Sequence, residues 1–273
     1  MSSSPANAWL FDVDGVICHP EQKRITKPEI ITEIIKRLQK GEPVALVTGR
    51  SVEFMRGKVI ALLKDKMKDF SLLQNFLAVG EKGGVMLTFD DSGTEVETID
   101  RSISVPPQIQ KETKQLIASK YSREAFFDPT KRTMISLEMT DHFPLDQFTK
   151  AQKFLDKDVR SIVAKYIQDN NYVVDSSTIS TDIQNSHVGK HFAAAHVLEW
   201  LQKKGISPKH FITIGDSAGD LEMAREINGR GLSVEFVFVG DPANIRGKSG
   251  EFPIRVTGSQ FELGTLEYLQ SRD

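Results

Sequence analysis

Two aspartates one residue apart, Asp12 and Asp14, close the apolar run Trp9-Leu10-Phe11 and stand directly before Gly15. Alternation along a strand places both carboxylates on one face, where their repulsion has to be offset. A divalent cation does this well, because hard cations take oxygen ligands and cancel the charge. The plainer alternative is a strand ending in an Asp-Gly turn. Three more polar features stand at comparable places. Thr48 follows Val44-Ala45-Leu46-Val47 and opens Thr48-Gly49-Arg50-Ser51; Lys190 lies in a stretch of helical periodicity; Asp216 and Asp220 follow Phe211-Ile212-Thr213-Ile214. Singly, each has an ordinary structural explanation: Thr48 as a helix cap, Lys190 as a solvated side chain, Gly215 to Asp220 as a turn plus cap. Together, in this order and spacing, they point to one site.

The elements that would position these groups alternate. After the first apolar run and a polar loop, Lys27 to Lys40 carries Ile31, Ile34, Ile35 and Leu38 on one helical face and stops at Gly41. A second helical pattern, with Val52, Met55, Val59, Leu62, Leu63 and Met67 as its apolar positions, follows Ser51, and residues 76–87 form a buried strand broken by glycines. Val188 to Lys204 is a helix, Leu221 to Ile227 another, Val234 to Val239 a strand, and a helix from about Glu262 closes the chain. Short apolar strands alternating with helices are the pattern of a parallel sheet covered on both faces, and active groups in such sheets sit at the carboxyl ends of the strands. Between these parts the character changes. Residues 95–104 and 133–140 alternate like half-exposed strands, a helix runs from Pro107 to about Tyr121, and another runs from Leu145 to Ile167 with a break near Lys157-Asp158. A strand pair through 172–174 and 178–183 completes an antiparallel sheet with helices on one face. The expectation is an α/β protein: a Rossmann-like parallel core of residues 1–87 and 185–273, with residues 88–184 inserted as an α+β domain.

Composition excludes several classes. The 273 residues are 39% hydrophobic and 26% charged, with a formal charge of −2. That balance provides no field for nucleic acid or an anionic membrane, and no stretch approaches the roughly 18 apolar residues of a membrane span. Residues 1–8 lack the basic start and apolar run of a signal peptide and read as a short disordered tail. The single cysteine, Cys18, cannot form an internal disulfide, which fits a reducing, cytoplasmic compartment; it reads as a buried bystander rather than a reactive thiol.

The four features resemble the motifs of the haloacid dehalogenase-like phosphatase superfamily: FDVDGVI at 11–17, LVTGR at 46–50, Lys190 in HVGK, and IGDSAGD at 214–220. An insert between the second and third motifs resembles the larger type 2 cap, and the segments 131–139 and 179–183 resemble the caps of the sugar-phosphate branch. That branch includes sucrose-phosphate and mannosylglycerate-phosphate phosphatases and eukaryotic-type phosphomannomutases. The resemblance implies that Asp12 attacks phosphorus to form an aspartyl-phosphate and that Asp14 serves as acid and then base. It implies that Mg²⁺ is held by Asp12, the Asp14 backbone carbonyl and Asp216, with Asp220 orienting the metal's waters or Lys190. It places Thr48, Gly49 and Lys190 on the phosphate.

Neighbouring residues have more open readings. Arg50 reaches toward substrate or cap, or forms a surface salt bridge; Ser217 positions the metal loop or is a plain turn residue. His187 and His191, without metal-ligand spacing, read as structural or cap-facing, and Glu81 and Lys82 lie near the site mouth with no role assigned. Cap contacts are Lys131, Arg132 and Ser136, with Ser180 or Asp182 from the last strand, against the alternative of exposed sheet-face residues. The function expected is a Mg²⁺-dependent phosphatase of a small phosphorylated metabolite, acting as a monomer or homodimer. A phosphomutase is the rival, weakened because the stretch Met139-Thr140-Asp141-His142 offers only His142 where the phosphomannomutase pattern has an arginine. Asp14 and Asp216 disfavour dehalogenase chemistry. A phospho-accepting receiver module, or a relative that only binds ligands, is the alternative from another class.

Overall fold

The computed structural model describes residues 4–167 and 171–272. They form two compact units, one of residues up to Thr98 and from Gly189 onward, the other spanning Ile99–Val188.

The first unit is built on an eight-stranded sheet. Its early strands are β1 (Asn7–Phe11), β2 (Val44–Val47), β3 (Phe76–Gly80), β4 (Val85–Phe89) and β5 (Glu95–Ile99). In the second unit follow β6 (Ala125–Phe127), β7 (Ile135–Met139), β8 (Tyr172–Ser176) and β9 (Ser180–Asn185), and the chain then returns to the first sheet with β10 (His210–Gly215), β11 (Val234–Phe238) and β12 (Ile254–Val256). The helices are α1 (Glu29–Gln39), α2 (Val52–Met55), α3 (Ala61–Lys66), α4 (Pro107–Leu116), α5 (Leu145–Tyr166), α6 (Lys190–Lys203), α7 (Leu221–Gly229) and α8 (Phe261–Gln270).

The large sheet runs β12-β11-β10-β1-β2-β3-β4-β5, and every pair from β12 to β3 is parallel. Parallel neighbours need crossover helices that cover both faces, so β1, with Ala8 to Phe11 all buried, reads as a continuous apolar run. Ala8 and Leu10 face a core shared with Ala194, Val197 and Leu201 of α6 and Met223 and Ile227 of α7. Trp9 and Phe11 point to the opposite face, where Trp9 meets Tyr268 of α8 edge-on at 6.3 Å and lies 5.2 Å from the Arg37 guanidinium of α1. The chain leaves β1 toward β2 and β3, then returns on β1's other side through β10. That reversal of strand order is where open α/β sheets leave a crevice at the carboxyl ends.

The second unit is a four-stranded sheet, β6-β7-β9-β8, antiparallel throughout. The pleat sends Ile135, Leu137, Ile183 and Val174 to one face, against Ile109 of α4 and Phe148, Leu155 and Val159 of α5. Ser136, Glu138, Ser180 and Asp182 share the other, with Ser136 opposite Asp182 and Glu138 opposite Ser180.

Several expected elements differ. Residues 76–87 are two antiparallel strands joined by a tight turn rather than one broken strand, a reversal in which Gly83 takes a φ of +115°. The strand at 95–104 ends at Ile99 and belongs to the large sheet. The compact units therefore divide about ten residues beyond position 88. Helix α5 is continuous across Lys157-Asp158, since buried Leu155 and Val159 keep its face seated. Residues 5–8 are not a tail: Lys209 and His210 donate their backbone N–H groups to the carbonyls of Pro5 and Ala6, and β1 begins at Asn7. Residues 1–3 of that expectation lie outside the described residues. Among the described residues, no helix is long and apolar enough to cross a membrane.

Candidate active site

Three adjacent parallel strands end at the crevice, and each delivers part of the site. The ladder continues one residue past β1, with Asp12 N donating to Ile214 O at 2.9 Å, and past β2, with Thr48 N donating to Val79 O at 3.0 Å. Asp12 and Thr48 are thus registered by the sheet itself, and Asp216 follows directly on the last residue of β10. The chain then turns at Gly15, whose φ of +73° suits glycine. A Cβ at that position would lie 2.1 Å from Asp216 Oδ2, so the glycine lets the Asp216 carboxylate approach the first loop. Gly215 does the same for Asp220, whose Cβ would be 2.1 Å from an added methyl.

One carboxylate oxygen each from Asp12, Asp216 and Asp220 come within 4.8 Å of one another. Lys190, at the first turn of α6, points into this group: its Nζ is 2.6 Å from Asp12 Oδ1 and 2.8 Å from Asp220 Oδ1, and it donates to the Val47 carbonyl at 2.9 Å. The short approach to Asp220 Oδ1 pairs the ammonium with a second carboxylate. With Asp220 fully buried and Lys190 18% exposed, water screens these charges little. Asp220 is fixed from its other side, where Oδ2 accepts from Ser217 N at 3.0 Å and Ser217 Oγ at 2.7 Å. Ser217 therefore positions the loop through its hydroxyl.

Burial is the largest influence on both strand-end carboxyls. It pushes Asp12 well above the usual carboxylate range, assisted by Asp220 and Asp216 and opposed by Lys190. Asp216 is pushed up to about 6 by burial and by the Asp220 charge. Burial would lower Lys190, yet Asp12 and Asp220 outweigh it and hold the ammonium above its ordinary value. Three carboxylates face one ammonium, and the excess negative charge, the all-oxygen donor set and the close approach at Gly15 fit a hard divalent cation.

Asp14 is turned away from this cluster. Arg50 grips its carboxylate with two nitrogens, Nε to Oδ2 at 2.9 Å and Nη2 to Oδ1 at 3.2 Å, and its guanidinium lies 5.0 Å from the Phe54 ring. Of the two expectations for Arg50, a salt bridge is found, but to a site residue. Thr48 does not cap the helix: Ser51 does, accepting from Phe54 N at 3.3 Å. Thr48 is buried, and its Oγ1 accepts from Arg50 N at 3.1 Å, which leaves the hydroxyl proton to donate elsewhere.

The other candidates divide between the units. His191 pairs with Glu222 at 3.2 Å, and His187 with Asn185 at 3.1 Å. Lys131 and Arg132 lie in the β6–β7 loop of the second unit, and Ser136 donates to Asp182 on its polar sheet face. Two features escaped the sequence. The Val47 carbonyl carries no side-chain signal. Glu262, 236 positions from Thr26, accepts from its backbone N–H at 2.9 Å and so secures the loop after β1.

With this geometry in view, the class is clear: a parallel α/β sheet carrying an acidic cluster and a buried lysine at its carboxyl ends, with an antiparallel unit inserted. Residues 96–234, half the chain, match the family model described as haloacid dehalogenase-like hydrolase, and the chain belongs to that family of hydrolases. No curated protein matches the sequence. Among solved structures, Thermoplasma acidophilum 0175 is similar with a TM-score of 0.60 and 18% identity, over 97% of each chain. Aspergillus fumigatus trehalose-6-phosphate phosphatase is similar with a TM-score of 0.56 and 15% identity, over 98% of this chain and 92% of that one. Plasmodium falciparum IMP-nucleotidase has a TM-score of 0.54 and 14% identity, over 87% of this chain and 58% of that one. At such identities the likeness is one of fold.

Proposed function

We propose that this hydrolase is a Mg²⁺-dependent phosphatase that cleaves a small phosphorylated metabolite, a sugar phosphate or related monoester, through an aspartyl-phosphate. The observation that carries the reading is the convergence of Asp12, Asp216 and Asp220 within 4.8 Å, with Lys190 at 2.6 Å from Asp12. Phosphoryl transfer asks chiefly for positioning and charge neutralisation, and that cluster supports both. Asp12 Oδ1 is engaged by Lys190 and by the Val13 N–H at 2.7 Å, which leaves Oδ2 to form the bond to phosphorus. Asp14 would give a proton to the leaving alkoxide, then take one from the water that releases phosphate and frees Asp12. Arg50 would orient the Asp14 carboxyl for both transfers. Thr48 and the Gly49 amide would hold a phosphate oxygen, with Lys190 stabilising charge in the transition state. Asp12, Asp216 and the Asp14 carbonyl would hold Mg²⁺, with Asp220 behind them, and the bound ion would neutralise charge on the phosphate oxygens.

We read the second unit, Ile99–Val188, as a cap domain that supplies substrate choice, with Arg132 among its candidate contacts. Phosphate release from p-nitrophenyl phosphate tests the chemistry: it should need Mg²⁺, stop with EDTA and vanish in Asp12→Asn. A screen of phosphorylated metabolites, ranked by kcat/KM, tests the substrate class; sugar phosphates at the bottom would refute that part. Isomerisation of a hexose 1-phosphate without phosphate release would replace the phosphatase by a mutase.

A further inference from the structure

The turn between β3 and β4 brings a further lysine, Lys82, beside the Thr48–Arg50 loop. Glu81 and Lys82 have φ of 53° and 56°, a region that residues with a Cβ occupy sparingly. Two in succession persist where the surroundings over-determine them, and here three backbone hydrogen bonds do so. Glu81 N donates to Arg50 O at 2.9 Å, Lys82 N to Thr48 O at 3.0 Å, and Gly189 N to Lys82 O at 3.1 Å. Lys82 is therefore tied both to the Thr48–Arg50 loop and to the residue preceding Lys190. Its stem lies along Gly49, where an added Cβ would meet Lys82 Cε at 3.5 Å and Cγ at 3.8 Å. The next residue, Gly83, has φ of +115°, and a Cβ there would come within 2.4 Å of Phe192 Cδ1, so the turn seats directly on α6.

We propose that Lys82 is a further substrate-binding residue, its ammonium contacting the anion held at the Thr48–Gly49 corner. Lys190 already contacts oxygens of Asp12, Asp220 and Val47, so much of its charge is answered within the chain. A phosphate dianion docking at Gly49 would gain from a further positive group, since Arg50 is paired with Asp14, and the Lys82 stem passes along that glycine. The identification of the anion as phosphate rests on the phosphatase reading; the path of the Lys82 stem along Gly49 does not.

The test is calorimetric binding of inorganic phosphate to the full chain with Mg²⁺, alongside steady-state hydrolysis of p-nitrophenyl phosphate. Lys82→Asn suits a left-handed position and removes the charge; Lys82→Met keeps an unbranched stem as a second neutral variant. A lost charge-assisted contact should weaken phosphate binding about tenfold in both. KM should rise in proportion, with kcat changed less than about threefold, and Lys82→Arg should recover most of the affinity. Unchanged phosphate affinity in whichever neutral variant melts with the wild type overturns the assignment. So does an equal loss in Lys82→Arg, which would mark the turn's shape rather than its charge, and so does a wild type that binds no phosphate. If the wild type binds phosphate but hydrolyses no ester, the phosphatase reading fails while the affinity series still decides Lys82.

Discussion

Asp216→Asn should make the metal-free protein more stable at neutral pH while destroying its response to Mg²⁺. The reason is the cost of ionising Asp216 in the folded state. Its folded pKa is raised from an ordinary 3.8 to about 6 by burial and the Asp220 charge. Below the unfolded value both states keep the proton and no cost is present. Between about 4 and 6 the folded state holds the proton and the unfolded state does not, so this group's contribution falls as pH rises. Above about 6 both are ionised and the full cost applies. The gap corresponds to about 3 kcal/mol, an upper bound because the side chain can relax toward solvent. In a unit of this size that is an increase in melting midpoint of up to roughly 6–12 °C, and a few degrees is the practical expectation.

Thermal melts of wild type and Asp216→Asn at pH 4 and pH 7.5, each with and without Mg²⁺, test this. At pH 7.5 without metal the variant should melt higher; at pH 4 the two should coincide. Millimolar Mg²⁺ should raise the wild-type midpoint at pH 7.5 through mass action and leave the variant's almost unmoved. A variant that melts lower at pH 7.5 without metal, or that gains as much from Mg²⁺ as the wild type, would refute the reasoning.

The two aspartates of the first loop should differ. Asp12→Asn should form no aspartyl-phosphate, whereas Asp14→Asn should still trap some radiolabelled phosphoenzyme from a substrate with a good leaving group; identical behaviour would remove the division of labour. Arg50→Met should lower kcat by about tenfold or more through a misdirected Asp14 carboxyl, and should add almost nothing in an Asp14→Asn background, as residues acting as a unit are non-additive. Burial, with Asp14 and Glu262 nearby, pushes the Cys18 thiol up to about 12. Iodoacetamide at pH 8 should therefore spare it in the folded protein and label it on unfolding, as followed by mass spectrometry.

Much of the site could be read along the chain because its parts lie at places where pattern changes. Apolar runs of four or five residues give way to Asp12, Thr48 and Asp216, and each such change marks a strand's carboxyl end whatever the strand order. Part of each motif is local for the same reason: Gly215 makes room for Asp220 within its own loop, whereas Gly15 makes room for Asp216 from another strand's end. The helix pattern that ends at Lys203 likewise leaves Lys190 at its first turn. Less legible were elements whose limits depend on partners. Strand β5 joins the large sheet because β4 offers an edge to it, which alternation in residues 95–104 cannot reveal.

What the sequence determined alone is the chemical inventory and its order: two aspartates, a threonine, a lysine and two further aspartates at the ends of periodic segments, with an alternating insert between. Those are short-range properties, set by side-chain period and turn chemistry. The tertiary structure alone decided which of these groups answer one another. It set Lys190 against Asp12 and Asp220 rather than in solvent, and gave Asp14 to Arg50, 36 positions away. It moved the cap from Thr48 to Ser51 and carried Lys82 to Gly49. Such pairings depend on the register of β1 between β2 and β10 and on backbone carbonyls that no side chain announces, so they exist only once the sheet has formed.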